Sequence, residues 1–136
     1  MGYKFFGSPY IPPIGNPPLG DWAFVLGSEE RQKKFKEIPD GTDIVITHSP
    51  PKNIFDESKL WVPNNLGLLK NFGCEFLREE LLTRVKPMYN IFGHNHDGYG
   101  QTEIEGVKFI NAATCNEMHQ PDNAPVYFEL PIRETD

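Results

Sequence analysis

The 136-residue sequence contains only two cysteines, and none of its apolar runs reaches the roughly 18 residues of a membrane span. Cys74 and Cys115 do not form a C-x-x-C pair, which disfavours a redox motif or a cysteine-based zinc site. Acidic residues outnumber basic ones by 19 to 13, and the basic residues are scattered, so nucleic-acid binding is disfavoured. We therefore expect a reduced, cytoplasmic protein that binds neither membranes nor nucleic acid and forms one domain over residues 1–136.

Proline and glycine are plentiful, and they divide the chain into short segments. They cluster in residues 8–20, in residues 62–67 and around the histidines. Between these clusters the pattern predicts helices in SEERQKKFKEI, with Ser28 capping the first turn, and in CEFLREELLTRV, whose apolar residues share one face. Strands are predicted in YKFFG, WAFVL, DIVIT, MYNIF and APVYFELP, and two more in QTEIEGVKFINAAT. The alternation of strands and helices predicts an α/β fold.

Three of the four histidines lie directly after predicted strands. His48 follows DIVIT, and His94 and His96 follow MYNIF within NIFGHNHDGYG. The helix between these strands normally lays them parallel in one sheet, with their carboxyl ends at one edge. We therefore expect the three imidazoles to converge. Because imidazole is a common metal ligand near neutral pH, this arrangement favours a metal site over three unrelated, hydrogen-bonded histidines.

Two of these histidine segments resemble motifs of a known enzyme family. GHNH resembles the closing G-H-x-H motif of calcineurin-like metallophosphoesterases, and the histidine of ITHSPP resembles their preceding single-histidine motif. FGSPYIPP, DWAF, PDGTDIVITHSPP, FGHNHDGYG and INAATCN, in this order, are similar to the metallophosphoesterase-domain-containing subfamily first noted in fetal brain. The resemblance covers nearly the whole chain. It implies the C-terminal half of a four-layer α-β-β-α sandwich, a mixed sheet with flanking helices.

The resemblance also implies a reaction and a ligand set. The family hydrolyses phosphomonoesters or phosphodiesters, and the substrate implied here is a small phosphodiester or nucleotide, cleaved by a metal-activated water at two divalent ions of manganese, iron or zinc. His48 and His94 would bind one ion and His96 the other. His94 is the predicted catalytic residue.

Other residues near these motifs have two readings each. Asp97 either orients a ligand or a metal-bound water from outside the coordination sphere, or is an exposed loop acid. Gly7 and Ser8 either contact the substrate or form a tight turn, and Asn111 either contacts the substrate or makes a hydrogen bond in a turn. His119 is expected to be a surface residue of the polar loop NEMHQPDN.

The family's earlier motifs, D-x-H, G-D-x-x-D and G-N-H-D/E, do not occur in this sequence. They supply the carboxylates of the family site, so three imidazoles alone should favour zinc, nickel or copper over manganese or magnesium. One face of the sheet should also expose apolar side chains. We expect a complementing N-terminal half or a second copy of the chain to cover that face, most simply as a homodimer.

Two functions therefore remain open at this point. The first is a metal-dependent phosphoesterase that is incomplete without the earlier motifs. The second is a non-catalytic metal-binding or scaffold domain that keeps the three histidines without assembling a two-metal centre. Hydrolytic activity separates them.

Overall fold

A five-stranded mixed sheet forms the centre of the computed structural model, which describes residues 2–15, 18, 20–58 and 71–134. The sheet has the strand order β1-β2-β3-β5-β4. Its strands are β1 Phe5–Ser8, β2 Ile44–Thr47, β3 Tyr89–Phe92, β4 Gly100–Ile104 and β5 Val107–Asn111. Four strands are parallel, and β4 pairs with β5 in the antiparallel sense. The predicted α/β class and mixed sheet are confirmed, as is the parallel pairing of the two strands that precede the histidines.

Two helices connect the parallel strands. Helix α1, Ser28–Lys36, lies between β1 and β2 in the chain. Helix α2, Glu75–Glu80, lies between β2 and β3 and continues as a π-helical turn over Leu81–Val85. The predicted cap of α1 is wrong: Ser28 is already the first helical residue, and the capping position is Gly27, which has no side chain to bond.

The two faces of the sheet are covered differently. One face packs against both helices, and its buried residues include Phe35, Val45, Leu77, Phe92 and Phe109. The opposite face has a smaller buried cluster of Ile44, Tyr89 and Ile110, against which the partly buried Val126 and Leu130 of the C-terminal segment pack. We call these the helix-covered face and the segment-covered face.

Two predicted strands do not form. In WAFVL only Val25 pairs, through an isolated bridge to Ile11, because Phe24 takes a left-handed conformation (φ 64°) that interrupts an extended run. APVYFELP does not join the sheet either. Pro125 and Pro131 have no N–H groups to donate, and the segment attaches through side-chain packing and isolated hydrogen bonds.

The loop predicted at residues 62–67 lies outside the described residues. Within the described ranges, none of the helices is long and apolar enough to span a bilayer. Cys74 and Cys115 are both free thiols.

Candidate metal centre at the sheet edge

His48 and His94 meet at the carboxyl edge of the sheet. His48 follows the last residue of β2, and its backbone N–H donates to the carbonyl oxygen of Ser8 at the end of β1 over 3.1 Å. His94 lies two residues beyond β3, in a left-handed conformation with φ 64°. The Nε2 atom of His48 is 3.1 Å from the Nδ1 atom of His94. Adjacent parallel strands therefore bring together two histidines that are 46 residues apart in the sequence.

The surroundings of His94 keep its imidazole neutral. Burial, together with the nearby His48 and His96, lowers the pKa of His94 to about 4. Desolvation disfavours the charged imidazolium, and neighbouring histidines add repulsion when they are protonated. At neutral pH the ring of His94 therefore retains the lone pair that a metal ion needs.

A polar cluster beneath the site supports the end of β2. The side-chain amide of the fully buried Asn90 donates to the carbonyl oxygen of Val45 over 3.1 Å and to the Thr47 hydroxyl over 3.3 Å. The Thr47 hydroxyl in turn donates to the carbonyl oxygen of Ser49 over 2.8 Å. These bonds bridge β2 and β3 and shape the turn that carries His48, in a region where an unbonded polar group would be costly.

The loop that carries His96 is fixed by two buried asparagines. The amide of Asn95 donates to the carbonyl oxygens of Phe55 and Glu57 over 2.7 and 3.0 Å. The amide of Asn111 donates to the carbonyl oxygen of Asn95 over 2.8 Å. His96 then opens a short 3-10 turn that ends at Gly98. The backbone of this loop is thus positioned by side chains on either side of the histidine.

His119 also lies at this site, although the sequence pointed to a surface residue. It is exposed as expected, but its ring lies edge-on to the ring of His96, with centroids 4.9 Å apart and planes inclined by 75°. The sequence did not predict this contact, because it joins the loop before β4 to the loop after β5, and these loops are separated by both strands in the chain. The only signal was that this is the fourth of four histidines, all of which the fold places near one edge.

The remaining predicted residues have varied surroundings. Asp97 accepts a hydrogen bond from the Ser58 hydroxyl over 3.1 Å, and its action on an imidazole stays a prediction. Gly7 and Ser8 end β1 beside His48, as a substrate contact would require, and that role also stays a prediction. Asn111 is fully buried, and its side-chain oxygen accepts from the N–H of Ala113 over 3.0 Å while its amide bonds Asn95. Contact with substrate would require Asn111 to exchange these bonds.

The His48–His94 pair fits part of a metal coordination shell. Two imidazole nitrogens on one tetrahedral zinc ion stand about 3.3 Å apart, because each Zn–N bond is about 2.0–2.1 Å long. The observed 3.1 Å is close to that value, and it is also the distance of the hydrogen bond that the two ring nitrogens make in the absence of an ion. Within the described ranges, however, no three His, Cys, Asp or Glu side chains are grouped so that they could hold an ion. An ion at this pair would therefore need water or further ligands to complete its shell.

The fold and edge define an α/β protein whose candidate site lies beyond the ends of parallel strands. Known proteins of similar sequence give its relatives. No protein-family model matches the chain. The chain is 36% identical over 133 residues to UPF0046 protein T07D4.2 of Caenorhabditis elegans. The aligned region is 97% of this chain and 30% of that protein. The chain is 34% identical over 131 residues to human metallophosphoesterase domain-containing protein 1. The aligned region is 96% of this chain and 36% of that protein.

A third relative, UPF0046 protein K07C11.7 of Caenorhabditis elegans, is 36% identical over 134 residues, covering 96% of this chain and 40% of that protein. The chain thus spans roughly a third of the length of the curated relatives it matches. Over nearly its whole length the chain is similar to the UPF0046 and metallophosphoesterase domain-containing proteins.

Proposed function

We propose that this chain provides the histidine ligands of a metal-dependent phosphoesterase that hydrolyses a phosphodiester or nucleotide. The observation that carries the proposal is the 3.1 Å separation of His48 Nε2 and His94 Nδ1 at adjacent strand ends. The name of the human relative, a metallophosphoesterase domain-containing protein, gives the reaction class. His94 is the residue on which activity should depend most, because its buried ring stays neutral and contacts His48 at the ends of adjacent strands.

We assign His48 and His94 to one divalent ion and His96 to a second. When bound, such ions lower the pKa of a coordinated water and neutralise charge on the phosphate. Manganese, iron and zinc are the candidates. Among them zinc suits an imidazole-rich ligand set best, because manganese prefers carboxylate and water oxygens. The protein's own part is to hold the neutral imidazole of His94 at a fixed separation from that of His48.

A cleft that Phe72, a neighbour of His94, helps to line supports a phosphate-containing substrate. The ring of Phe72 lies edge-on to that of His94, with centroids 6.4 Å apart, and Phe72 also lines a cleft of about 560 Å³. That volume is in the range that small-molecule sites occupy. Arg31 and Lys52 line the same cleft and bring two positive charges, of which Arg31 is paired with Glu75 at 3.6 Å. The size of the cleft suits a nucleotide, and Lys52 adds one positive charge to the Arg31–Glu75 pair that also lines it.

The alternative function is a non-catalytic metal-binding or scaffold domain. Two observations favour it: three-ligand groups are lacking within the described ranges, and the sequence has no D-x-H, G-D-x-x-D or G-N-H-D/E motif. A pair of imidazoles without an anionic ligand binds an ion less firmly than a full set. In this case His48 and His94 would bind zinc, and phosphoesters would not be hydrolysed.

The exposed part of the segment-covered face belongs to the same proposal. Phe5 is 60% exposed and Ile46 is 45% exposed beside the buried Ile44. We propose that a complementing N-terminal half or a second copy of the chain covers them, since exposed apolar patches mark contact surfaces. Light scattering of the purified chain at high concentration tests the second copy. A mass that stays at one chain contradicts the homodimer.

The test of the function is hydrolysis of a chromogenic phosphodiester by the purified chain, with manganese or zinc added. His94→Asn is the informative variant, because asparagine tolerates the left-handed backbone at this position while it removes the imidazole. We expect activity in the wild type and a loss of about 100-fold or more in the variant, because the substitution removes one of the two imidazoles that bind the proposed ion. Lys33→Gln, on the exposed side of α1, is the matched control and should keep full activity.

Absence of activity in the wild type with either metal would overturn the enzymatic proposal for this chain. Zinc binding that persists in the same sample would then support the non-catalytic alternative. Equal activity in the wild type and His94→Asn would show that hydrolysis occurs elsewhere or comes from a contaminant.

A further inference from the structure

The contact between His96 and His119 repeats the spacing of the His48–His94 pair. The ring centroids are 4.9 Å apart in the first pair and 4.7 Å apart in the second. Two imidazoles that bind one tetrahedral ion place their ring centroids about 5 Å apart, given Zn–N bonds of about 2.0–2.1 Å. The centroid separation of both pairs is therefore compatible with one ion bound to both rings, although only the His48–His94 pair also brings two ring nitrogens to 3.1 Å.

The loop that carries His119 is held in place by its own polar side chains. The side-chain oxygen of Asn116 accepts hydrogen bonds from the backbone N–H groups of Met118 and Gln120, over 2.9 and 3.0 Å. The amide of Asn123 donates to the carbonyl oxygens of Ala113 and Cys115, over 2.8 and 3.0 Å. The ring of His119 is thus presented by an ordered loop, which reduces the conformational freedom that an ion would otherwise have to remove.

The backbone at His119 is less usual. Its φ is 59°, in the left-handed region where, among residues other than glycine, Asn, Asp and His are enriched. In this conformation the ring lies edge-on to that of the partly buried His96 on the neighbouring loop. His94, in the other pair, has the same backbone conformation with φ 64°. Each pair thus combines one histidine in a left-handed conformation with one in an ordinary conformation.

We propose that His96 and His119 form a two-histidine site for a divalent ion such as zinc, copper or nickel, distinct from the His48–His94 pair. The inference rests on the proposed function only because it takes His96 as a metal ligand. It adds His119 as a second ligand, from a loop to which the family resemblance assigns no role. Imidazole ligands select these borderline ions over magnesium and calcium. Water fills the remaining positions, because His119 is exposed.

The ion would join the loop after β5 to the loop after β3. His119 follows β5 by eight residues and His96 follows β3 by four, so the two ligands come from separate loops at the same sheet edge. Binding should therefore stiffen residues 114–123 as well as fill the site. This gives the proposal a readout that does not depend on hydrolysis.

The experiment is a zinc titration of the full chain labelled with ¹⁵N-histidine, followed through the ring nitrogens. Only four histidines contribute, so each ring is resolved and assigned with single variants. We expect the ring nitrogens of His96 and His119 to shift together at the same zinc concentration. A His119 ring that does not respond while His96 shifts would overturn the proposal and leave the contact as ring packing alone.

His119→Asn provides the second arm, because asparagine tolerates the left-handed backbone but is a poor zinc ligand. Zinc affinity measured at His96 should fall about tenfold or more, while the response of His48 and His94 stays unchanged. Met118→Ala, an exposed neighbour in the same loop, is the matched control and should behave as wild type. An affinity at His96 that changes less than twofold in His119→Asn would overturn the proposal.

The same samples separate this inference from the proposed enzyme activity. Zinc-induced shifts at His96 and His119 without phosphodiester hydrolysis would support the ion site and contradict the enzyme. Hydrolysis that depends on His94, without a zinc response at His119, would support the enzyme and contradict the ion site.

Discussion

The two faces of the sheet differ in how they are closed, although the same strands supply both. On the helix-covered face, residues such as Val45, Phe92 and Phe109 pack against two regular helices and are buried almost completely. On the segment-covered face, Tyr89 and Ile110 are covered by an extended segment that has no place in the sheet ladder. The hydroxyl of Tyr89 reaches the carbonyl oxygen of Glu129 only over a long 3.4 Å hydrogen bond.

This difference indicates where the stability of the fold resides and what supports the site. Side chains alternate between the two faces along β5, so Asn111 lies on the same face as Phe109, opposite to Ile110. The amide of Asn111 donates a hydrogen bond to the loop that carries His96. The helix-covered face therefore stabilises both the core and the histidine loop.

The largest expected effect is on the helix-covered face. Leu77 of α2 is completely buried in its cluster, so Leu77→Ala leaves a cavity among well-packed neighbours. We expect it to lower the free energy of unfolding by about 3–5 kcal/mol, measured by urea denaturation. Leu77→Met, which nearly conserves volume, should cost less than about 1.5 kcal/mol. A loss below about 1 kcal/mol for the alanine variant would contradict the distinction between the faces.

A smaller effect is expected where this face meets the histidine loop. A Cβ atom at Gly98 would lie 2.2 Å from the carbonyl oxygen of Phe55 and 2.8 Å from the amide nitrogen of Asn95. Gly98→Ala must displace this loop, at a cost of about 1–3 kcal/mol in the free energy of unfolding. It should also weaken the zinc response of His96.

Gly93→Ala is the matched control in the same segment, because its Cβ would meet only the Cα of Ala113 at 3.9 Å. We expect its stability to lie within about 0.5 kcal/mol of wild type. Equal losses in both glycine variants would indicate a general intolerance of side chains in this loop and not the specific collision at Gly98.

The sequence predicted the parts of this fold that local patterns encode. Continuous apolar runs and the intervening helix were sufficient to place His48, His94 and His96 at one sheet edge, because parallel strands end on the same side. The helix face with Leu77, Leu81 and Val85 was also correct, since its periodicity reflects burial directly.

The sequence did not predict features that depend on contacts between distant segments. APVYFELP has the composition of a strand, yet it packs across the segment-covered face without pairing, and composition does not report whether a neighbouring strand is available. The contact of His119 with His96 depends on the path of two loops. The backbone conformation of Phe24, which ends the predicted strand WAFVL, is likewise set by its surroundings.

The segment-covered face should respond less to the same substitution. Leu130 is only partly buried, and it packs against Ile110 and its neighbours from an irregular segment. We expect Leu130→Ala to lower the free energy of unfolding by about 1 kcal/mol in the same urea experiment, in proportion to the smaller apolar area it buries. A loss equal to that of Leu77→Ala would mean that the segment is as integral to the core as α2.

The smallest expected effect follows from removing the ion pair between Arg133 and Asp43, which attaches the end of this segment to the rest of the fold. Arg133 bonds both oxygens of Asp43, one of them over 3.1 Å, and the backbone N–H of Lys4 donates to the same carboxylate over 2.7 Å. The Arg133 guanidinium and, after it, the Lys4 N–H hold the pKa of Asp43 below its usual value. A depressed pKa means that the folded state binds the proton less well than the unfolded state does, so the stabilisation is present above the unfolded pKa of about 3.9.

The wild type should therefore be more stable than Arg133→Gln at pH 6, by less than the loss in Leu130→Ala, because this pair is partly open to solvent and surface ion pairs contribute little. This advantage should shrink as the pH falls below about 4 and through the lowered pKa of Asp43, as urea denaturation at several pH values will measure. Glu79→Gln, an exposed acid on α2, should show no such change relative to wild type. If the advantage persists unchanged at pH 3, Arg133 stabilises the segment through its position 4.1 Å above the ring of Tyr3 and not through Asp43.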